Sequence, residues 1–295
     1  MSHLESMIAA NMLTGKLPQT KGEVSAKFLK GARKALDIYR SWGAPFGVEL
    51  NTFTPVIHKE GGDRVACFFT LGVDSFYTLL KHIDEIDDLI YVDNFELRLS
   101  SYVREKTVAT IRDVAKHYGK TAVIERSDAR QRLDRLVEWY RYGHGPALAS
   151  VALAHEDTYR KVYIAASNTM KVIQKCSSHP HIDHLWSTET LQFVHDAPVT
   201  RLEKLRTIGE DTFALDRLRV CYQGGDYNCS RCEKCVRTMI SLRLLGLQSD
   251  AFGQMPSLID IAILSQKTAG TTNWPLWAQN IDEVEALLKA LKGQV

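Results

Sequence analysis

Residues 64–75 read Arg-Val-Ala-Cys-Phe-Phe-Thr-Leu-Gly-Val-Asp-Ser, and this stretch decides the fold class. The apolar run 64–70 follows the turn sequence Gly61-Gly62-Asp63, which predicts a short buried strand. Residues 74–83 place Phe76, Leu79, Leu80 and Ile83 on one helical face, which predicts a helix immediately afterwards. Gly72 stands at the junction, where it allows the backbone to turn tightly. The stretch therefore predicts a strand, a tight turn and a helix.

The same alternation continues along the chain. The predicted strands are 64–70, 88–92, 121–125 and 161–166, and the predicted helices are 74–83, 101–118, 130–140 and 146–159. Short apolar strands that alternate with helices are typical of an α/β protein with a parallel sheet covered by helices on both faces. We therefore predict this fold class.

Three regions are predicted. Residues 1–62 form an N-terminal extension with a helix at 25–42 and a possible strand at 47–57. Residues 63–210 form the α/β domain, and residues 211–295 form a helical region with a cysteine cluster. The helices expected in this last region are 233–245, 257–264 and 281–291.

Ligands of parallel α/β sheets bind beyond the carboxyl ends of the strands. The segments expected there are Thr70 to Ser75, Asp93 to Phe95, Arg126 to Asp128 and Ser167 to Lys171, in which Asp93, Ser167 and Asn168 are the candidate ligand-contact residues. The first turn of the helix after Gly72, capped by Asp74 or Ser75, favours an anion such as phosphate. The alternatives are an ordinary strand–helix junction, a solvated strand end at Asp93 and an Asx turn at Asn168.

Four of the six cysteines, Cys221, Cys229, Cys232 and Cys235, fall within fifteen residues. The spacing C-x7-C-x2-C-x2-C can bring four thiolates to one tetrahedral Zn²⁺ ion, and a closed site of this kind is structural. An iron–sulfur cluster is the alternative, since four cysteines also bind such clusters. The pattern predicts a metal site rather than a set of disulfides.

Two of these segments resemble a known family. Thr70 to Ser75 resembles the Ser-Gly-Gly-x-Asp-Ser loop of the PP-loop ATP pyrophosphatases, with Gly72, Val73, Asp74 and Ser75 in register. Thr70 replaces the first serine and keeps its hydroxyl, whereas Leu71 replaces the first glycine. Residues 228–238, Asn-Cys-Ser-Arg-Cys-Glu-Lys-Cys-Val-Arg-Thr, resemble the zinc segment of the 7-cyano-7-deazaguanine synthase-like branch.

The resemblance implies a chemistry. PP-loop enzymes cleave ATP to AMP and pyrophosphate and adenylate a carboxylate or carbonyl oxygen, and a nucleophile then attacks the carbon and displaces AMP. For this chain the expected nucleophile is ammonia or an amine. The resemblance assigns nucleotide binding to the loop that contains Thr70, Gly72, Val73, Asp74 and Ser75, with Mg²⁺ on the phosphates. Because the N-terminal extension and the segment after the fourth strand differ from the synthase pattern, we carry over ATP and zinc but not the deazapurine substrate.

The polar stretch from His179 to Lys204 is expected to fold back over the strand ends and form the substrate side of the crevice. Asp183 or His184 is the expected general base, which makes Asp74, Asp183 and His184 the candidate catalytic residues. The alternative is ordinary surface-loop polarity. A second metal site at the histidines of this stretch is disfavoured, because Pro180 breaks any helix that would align them.

The net charge and the lengths of the apolar runs limit the classes of partner that we expect. The net charge is +2, which gives no support for a nucleic-acid partner. No apolar run approaches the ~20 residues that span a bilayer, so we expect a cytoplasmic protein with a small-molecule substrate, no membrane partner and a possible homodimer. Two other functions stay open: a sulfur-transferring PP-loop enzyme that uses Cys176 or an iron–sulfur cluster, and a non-catalytic nucleotide-binding protein.

Overall fold

The computed structural model describes residues 4–17, 22–44, 48–58, 60–170, 174–254 and 257. Its strands are β1 Glu23–Ser25, β2 Thr54–Val56, β3 Arg64–Phe68, β4 Asp88–Asp93, β5 Thr121–Arg126, β6 Tyr159–Ala165 and β7 Gln192–Asp196. Its α-helices are α1 Leu4–Asn11, α2 Ala26–Ser41, α3 Val73–Lys81, α4 Ser101–His117, α5 Ala129–Leu133, α6 His144–Leu153, α7 Arg201–Ile208, α8 Thr212–Leu215 and α9 Glu233–Leu244. A π-helical turn spans Trp139–Gly143 and a 3₁₀ turn spans Asp183–Trp186.

Five strands form one parallel sheet in the order β5-β4-β3-β6-β7, while β1 and β2 form a separate parallel pair. The chain leaves β3 towards β4 on one side and later returns to β6 on the other. This change of direction opens a crevice between the carboxyl ends of β3 and β6. The predicted α/β class with a parallel sheet flanked by helices is confirmed.

Successive side chains of the central strands point to opposite faces, as the period of two requires. In β3, Val65 and Cys67 belong to the core that contains apolar residues of α3, α4 and α7. Ala66 and Phe68 belong to the second core, which contains apolar residues of α1, α2 and α6. Both faces are therefore buried, which explains the continuous apolar run in the sequence.

The N-terminal region supplies much of the second layer. Apolar residues of α1 and α2 share one core with strands β3, β4 and β6. The helix α2 begins at a Ser25 cap, whose side chain accepts a hydrogen bond from the Phe28 amide at 3.0 Å. Gly31 lies so close to the Leu185 carbonyl oxygen that an added Cβ would sit 1.8 Å from it. Residues of the extension thus pack as part of the α/β body.

The polar stretch that begins at His179 contains regular structure. Strand β7 and helix α7 both lie within residues 179–210. The strand was missed because Phe193 and Val194 are its only apolar residues, since β7 is the edge of the sheet. Helix α7 begins with a capping box, in which Thr200 and Glu203 satisfy each other's backbone amides.

Three predicted elements have different bounds. The helix expected at 130–140 is divided into α5 and the π-helical turn, and the helix expected at 146–159 ends at Leu153. Of the possible strand 47–57, the described residues 48–57 contain a strand at Thr54–Val56 alone. The helices expected at 257–264 and 281–291 lie outside the described residues, apart from Ser257. Within the described part of the chain, no helix is long and apolar enough to cross a bilayer.

Candidate functional site

The loop after β3 enters helix α3 at the crevice. Gly72 is the N-cap of α3 and no side chain caps the helix, so amide groups of the first turn stay available to a ligand. Ser75 Oγ instead accepts a hydrogen bond from the Thr70 amide at 3.3 Å and donates one to the Gly72 carbonyl at 3.1 Å. The cap predicted at Asp74 or Ser75 is therefore replaced by a hydroxyl that braces the loop.

Leu71 adopts the backbone conformation in which glycine is usually found, with φ = 63°. A left-handed leucine is strained by ~1–2 kcal/mol. Its side chain is fully buried, and burial of a leucine contributes ~1.5–3 kcal/mol, which offsets that strain. The Leu71 carbonyl also accepts a hydrogen bond from the Arg219 amide at 2.8 Å. The backbone at residue 71 therefore has the positive φ typical of glycine, although the residue is leucine.

A buried ion pair lies behind the loop. Lys204 on α7 is 1% exposed, and its Nζ donates to Asp74 Oδ1 at 2.7 Å and to the Ala166 carbonyl. Burial would raise the pKa of Asp74, but the charges of Lys204 and Arg201 and the lysine hydrogen bond outweigh burial and lower it. Asp74 is therefore a carboxylate at neutral pH.

Cationic side chains exceed carboxylates around this pair. Arg201 donates to Thr238 Oγ1 at 3.0 Å, and its Nε is buried without a hydrogen-bond partner. Burial and the neighbouring Arg237 lower the pKa of Arg201 to about 10, which leaves it charged. Arg237 itself donates to Glu233 at 2.7 Å. An unpartnered guanidinium nitrogen beside an open helix N-terminus makes this region attractive to an anion.

The other predicted nucleotide-contact residues have separate environments. Ser167 follows β6, and its Oγ is 3.4 Å from Asp74 Oδ2, so the structure brings these two predicted positions together. Asn168 Nδ2 donates to Cys176 Sγ at 3.9 Å, and its Oδ1 is buried without a partner. Asp93 ends β4 but is buried in ion pairs with Arg104 and Arg126. Its carboxylate is already neutralised by protein.

The four cysteines of the cluster come together as predicted. Their Sγ atoms all lie within 4.8 Å of one another, and three of the four residues are buried. The Sγ atoms of Cys232 and Cys221 are 3.9 Å apart, close to the ~3.8 Å edge of a zinc tetrathiolate with ~2.3 Å bonds. The amides of Cys232 and Gln223 donate to Cys229 Sγ and Cys221 Sγ at 3.3 and 3.4 Å. This cluster could hold a metal ion.

The cysteine cluster is joined to the loop through short connections. Cys221 lies two residues after Arg219, whose amide is bonded to Leu71. Cys232 is the N-cap of α9, and the same helix carries Cys235, Arg237 and Thr238. Order in the cluster therefore positions both the backbone next to the loop and the groups that contact Arg201.

A cavity of ≈ 180 Å³ opens beside Ser167. Its walls come from the ends of β6 and β7, from the π-helical turn and from residues 174–180. They include aromatic and imidazole side chains from four segments of the chain: Trp139, Tyr140, His144, His179 and His195. Ser167 lines the cavity and also contacts Asp74, so the cavity lies next to the loop.

The structure pairs Asp183 with His195 rather than with His184. Asp183 is fully buried, and its Oδ2 is 2.6 Å from His195 Nδ1. Ser178 Oγ and the His179 amide also donate to the Asp183 carboxylate, at 2.8 and 3.2 Å. His184 is exposed, with Nδ1 3.2 Å from the Pro180 carbonyl oxygen. His195 was not among the predicted site residues, whereas Arg201 and Lys204 were candidate cations of the crevice.

The other cavity groups are uncharged at neutral pH. Burial lowers the pKa of His144 to about 4. Burial, together with the charges of His181 and His195, lowers the pKa of His179 to about 4. Burial raises the pKa of the Cys176 thiol to about 11, so it is not the activated thiolate that a sulfur-transferring enzyme requires.

Comparisons with known proteins add nothing to this geometry. No family model, no curated protein and no solved structure gives a significant match to the chain.

Proposed function

We propose that this protein is an adenylating enzyme of the PP-loop type. It binds ATP at the loop Thr70 to Ser75, releases pyrophosphate and transfers AMP to a carboxylate or carbonyl oxygen of a small molecule. Ammonia or an amine then attacks the activated carbon. A bond forms between nitrogen and carbon, the bond from carbon to the AMP oxygen breaks, and AMP leaves with the electron pair.

One observation carries this proposal. An uncapped helix N-terminus, at the crevice of a parallel sheet, lies beside a buried lysine and a guanidinium with a free nitrogen. Polyphosphate is the ligand that such groups favour, because amide dipoles and cations both stabilise its charge. The glycine-like φ of Leu71 keeps the loop path at the position where the resembled motif has glycine. The cysteine segment at residues 228–238 resembles that of the 7-cyano-7-deazaguanine synthase-like branch, and this resemblance favours a nitrile-forming or amide-forming reaction.

The groups proposed to hold metals are distinct. Mg²⁺ would lie at Asp74, because Oδ1 is held by Lys204, whereas Oδ2 accepts one long hydrogen bond, 3.4 Å from the Ser167 hydroxyl, among the residues that the structure describes. A bound Mg²⁺ would neutralise charge that develops on the phosphates. Zn²⁺ is proposed at the four cysteines, where a closed tetrathiolate shell has no open position and is therefore structural.

His195 is proposed as the group that accepts the proton from the attacking nitrogen. The Asp183 carboxylate accepts the Nδ1 proton of His195, which leaves the lone pair on Nε2. His195 lines the cavity next to the loop, whereas its neighbour Asp196 points to the opposite face and bonds Thr78 and Lys81. A base oriented by a buried carboxylate is the arrangement that this step needs.

The products of ATP turnover test the function: AMP and pyrophosphate are expected.

The His195→Ala variant is expected to separate the two half-reactions. ATP–pyrophosphate exchange, measured with the acid that supports it, should stay within ~3-fold of the wild type because His195 does not contact the phosphates. AMP release driven by ammonium chloride should fall ~10²–10⁴-fold, the usual contribution of a general base. Added imidazole should restore part of this rate.

The matched control is His184→Ala, which removes an exposed imidazole near Asp183 in sequence. Both rates should remain at the wild-type level in this variant. Equal losses in the two histidine variants, or a loss of exchange in His195→Ala, would show that His195 does not act on the attacking nitrogen.

A further inference from the structure

A second cluster of possible metal ligands lies at the opposite end of the sheet. Glu5 of α1, His58 after β2 and Glu156 between α6 and β6 each offer one ligand atom within 4.8 Å of the other two. His58 Nε2 is 3.6 Å from Glu5 Oε1, and His58 Nδ1 is 3.5 Å from Glu156 Oε1. These distances exceed the ~2.7–2.9 Å of a charge-assisted hydrogen bond. An ion would bond only one of the two ring nitrogens, so only one of these contacts is a distance between its ligands; one such contact is close to the ~3.4 Å between neighbouring ligands of a tetrahedral ion with ~2.1 Å bonds.

The charges in this cluster are unbalanced. The side chain of Glu5 is 4% exposed and that of Glu156 is 13% exposed. Among the residues that the structure describes, no lysine or arginine forms an ion pair with either carboxylate, and His58 is their only possible cationic partner. Burial raises the pKa of Glu5, and the neighbouring Glu156 charge raises it further. Glu156 Oε1 accepts hydrogen bonds from the hydroxyls of Thr188 and Thr190, the latter at 2.6 Å, but neither hydroxyl supplies a positive charge. A buried carboxylate beside a largely buried one, without a matching cation, is unfavourable.

A third carboxylate adds to the imbalance. Glu189 lies against the same segments, since its Oε1 accepts the Lys27 amide at 2.9 Å and its charge is stabilised by hydrogen bonds from Ser25 and His58. Its Oε2 atom is buried and has no hydrogen-bond partner. The Glu5 carboxylate accepts the Ser25 amide at 2.8 Å, so both acids meet at one residue. Three acids and one imidazole thus lie close together, with Glu5 buried and the other three partly exposed.

We propose that Glu5, His58 and Glu156 bind one divalent cation of the zinc or manganese class. Two carboxylate oxygens and one imidazole nitrogen form a donor set that suits these ions, with further positions open to water. The ligands come from three distant parts of the chain, so the cation joins the N-terminal region to the sheet. The site lies at the amino ends of the strands, away from the loop at Gly72, and does not depend on the proposed ATP chemistry.

Manganese binding to the full-length protein tests this proposal. Mn²⁺ is the probe because thiolates favour zinc, so the cysteine cluster keeps its own metal. Titration followed by the electron paramagnetic resonance of free Mn²⁺, without nucleotide, should give one bound ion per chain. Mn²⁺ should also raise the melting temperature. His58→Ala and Glu156→Gln should each weaken binding at least ~10-fold, as expected when a ligand or its support is removed.

The matched control is His155→Ala, since His155 is adjacent to Glu156 but pairs with Glu125 at 2.9 Å. This variant should bind Mn²⁺ like the wild type. If the wild type binds neither Mn²⁺ nor any Zn²⁺ beyond the ion at the cysteines, the proposal is wrong, whatever the variants do. Unchanged Mn²⁺ affinity in folded His58→Ala and Glu156→Gln protein would equally overturn it.

Discussion

The Asp74→Asn variant is expected to lose nearly all ATP turnover, by ~10²–10³-fold or more. The substitution keeps the size of the side chain but removes the charge that holds Lys204 and the oxygen proposed to hold Mg²⁺. Stability should fall as well, by ~1–3 kcal/mol, because the buried ammonium of Lys204 loses the carboxylate that neutralises it and keeps only neutral oxygen acceptors. Turnover is measured as AMP formed, and stability by urea denaturation.

The pH dependence of this stability loss follows from the lowered pKa of Asp74. A carboxyl group whose pKa is lower in the folded than in the unfolded protein stabilises the fold above the unfolded value of 3.8. That contribution disappears as the pH falls through the lower folded value. The difference in the free energy of unfolding between the wild type and Asp74→Asn should therefore be largest at neutral pH and should decrease in strong acid.

The double variant Asp74→Asn with Lys204→Met separates structure from function. Removing both charges no longer leaves the Lys204 ammonium buried without its carboxylate, so stability should recover relative to Asp74→Asn alone. Activity should remain lost, because neither the lysine nor the carboxylate is present. If Asp74→Asn kept more than about a tenth of the wild-type turnover, the loop would not have the role assigned to it.

The Cys232→Ser variant is expected to lose the metal of the cysteine cluster and most of its stability. Binding of structural zinc contributes ~10–16 kcal/mol in small zinc domains, because the site forms only when the chain folds. Here Cys232 begins α9, and the cluster also fixes the Arg219 backbone against Leu71. Nucleotide affinity should therefore fall together with the metal. X-ray absorption at the zinc edge should show four sulfur ligands at ~2.3 Å in the wild type.

The matched control is Cys176→Ser, which replaces a buried cysteine outside the cluster. This variant should retain the full four-sulfur signal. Iron with acid-labile sulfide in place of zinc would identify the iron–sulfur alternative. A wild-type protein without zinc or iron, or a Cys232→Ser protein with an unchanged metal signal, would contradict the account of this site.

Features that depend on short stretches of chain were predictable. The strand, turn and helix at residues 64–75 follow from an apolar run, a glycine and a helical stripe that are adjacent in sequence. The cysteine cluster is equally local, because ligands spaced by two residues can meet in one turn. Short apolar runs also indicated four of the five strands of the sheet, since parallel strands buried on both faces have continuous apolar sequences.

Features that depend on tertiary contacts were not predictable in this way. Asp183 and His195 meet only because a 3₁₀ turn and an edge strand lie side by side, and no spacing rule indicates that pairing. Lysine is rarely fully buried, so nothing in the sequence favoured Lys204 as the partner of Asp74. Leu71 has positive φ although leucine disfavours it, because burial of its side chain offsets the strain.

The central claim is that ATP is cleaved between its α- and β-phosphates, and the products show this directly. The wild-type protein should be incubated with ATP, Mg²⁺, ammonium chloride and a panel of small carboxylic acids, and the products analysed by ³¹P NMR and mass spectrometry. We predict AMP and pyrophosphate, together with an acid whose mass has changed by the gain of nitrogen. Formation of ADP and inorganic phosphate instead would contradict the account, even if ATP were bound at Gly72.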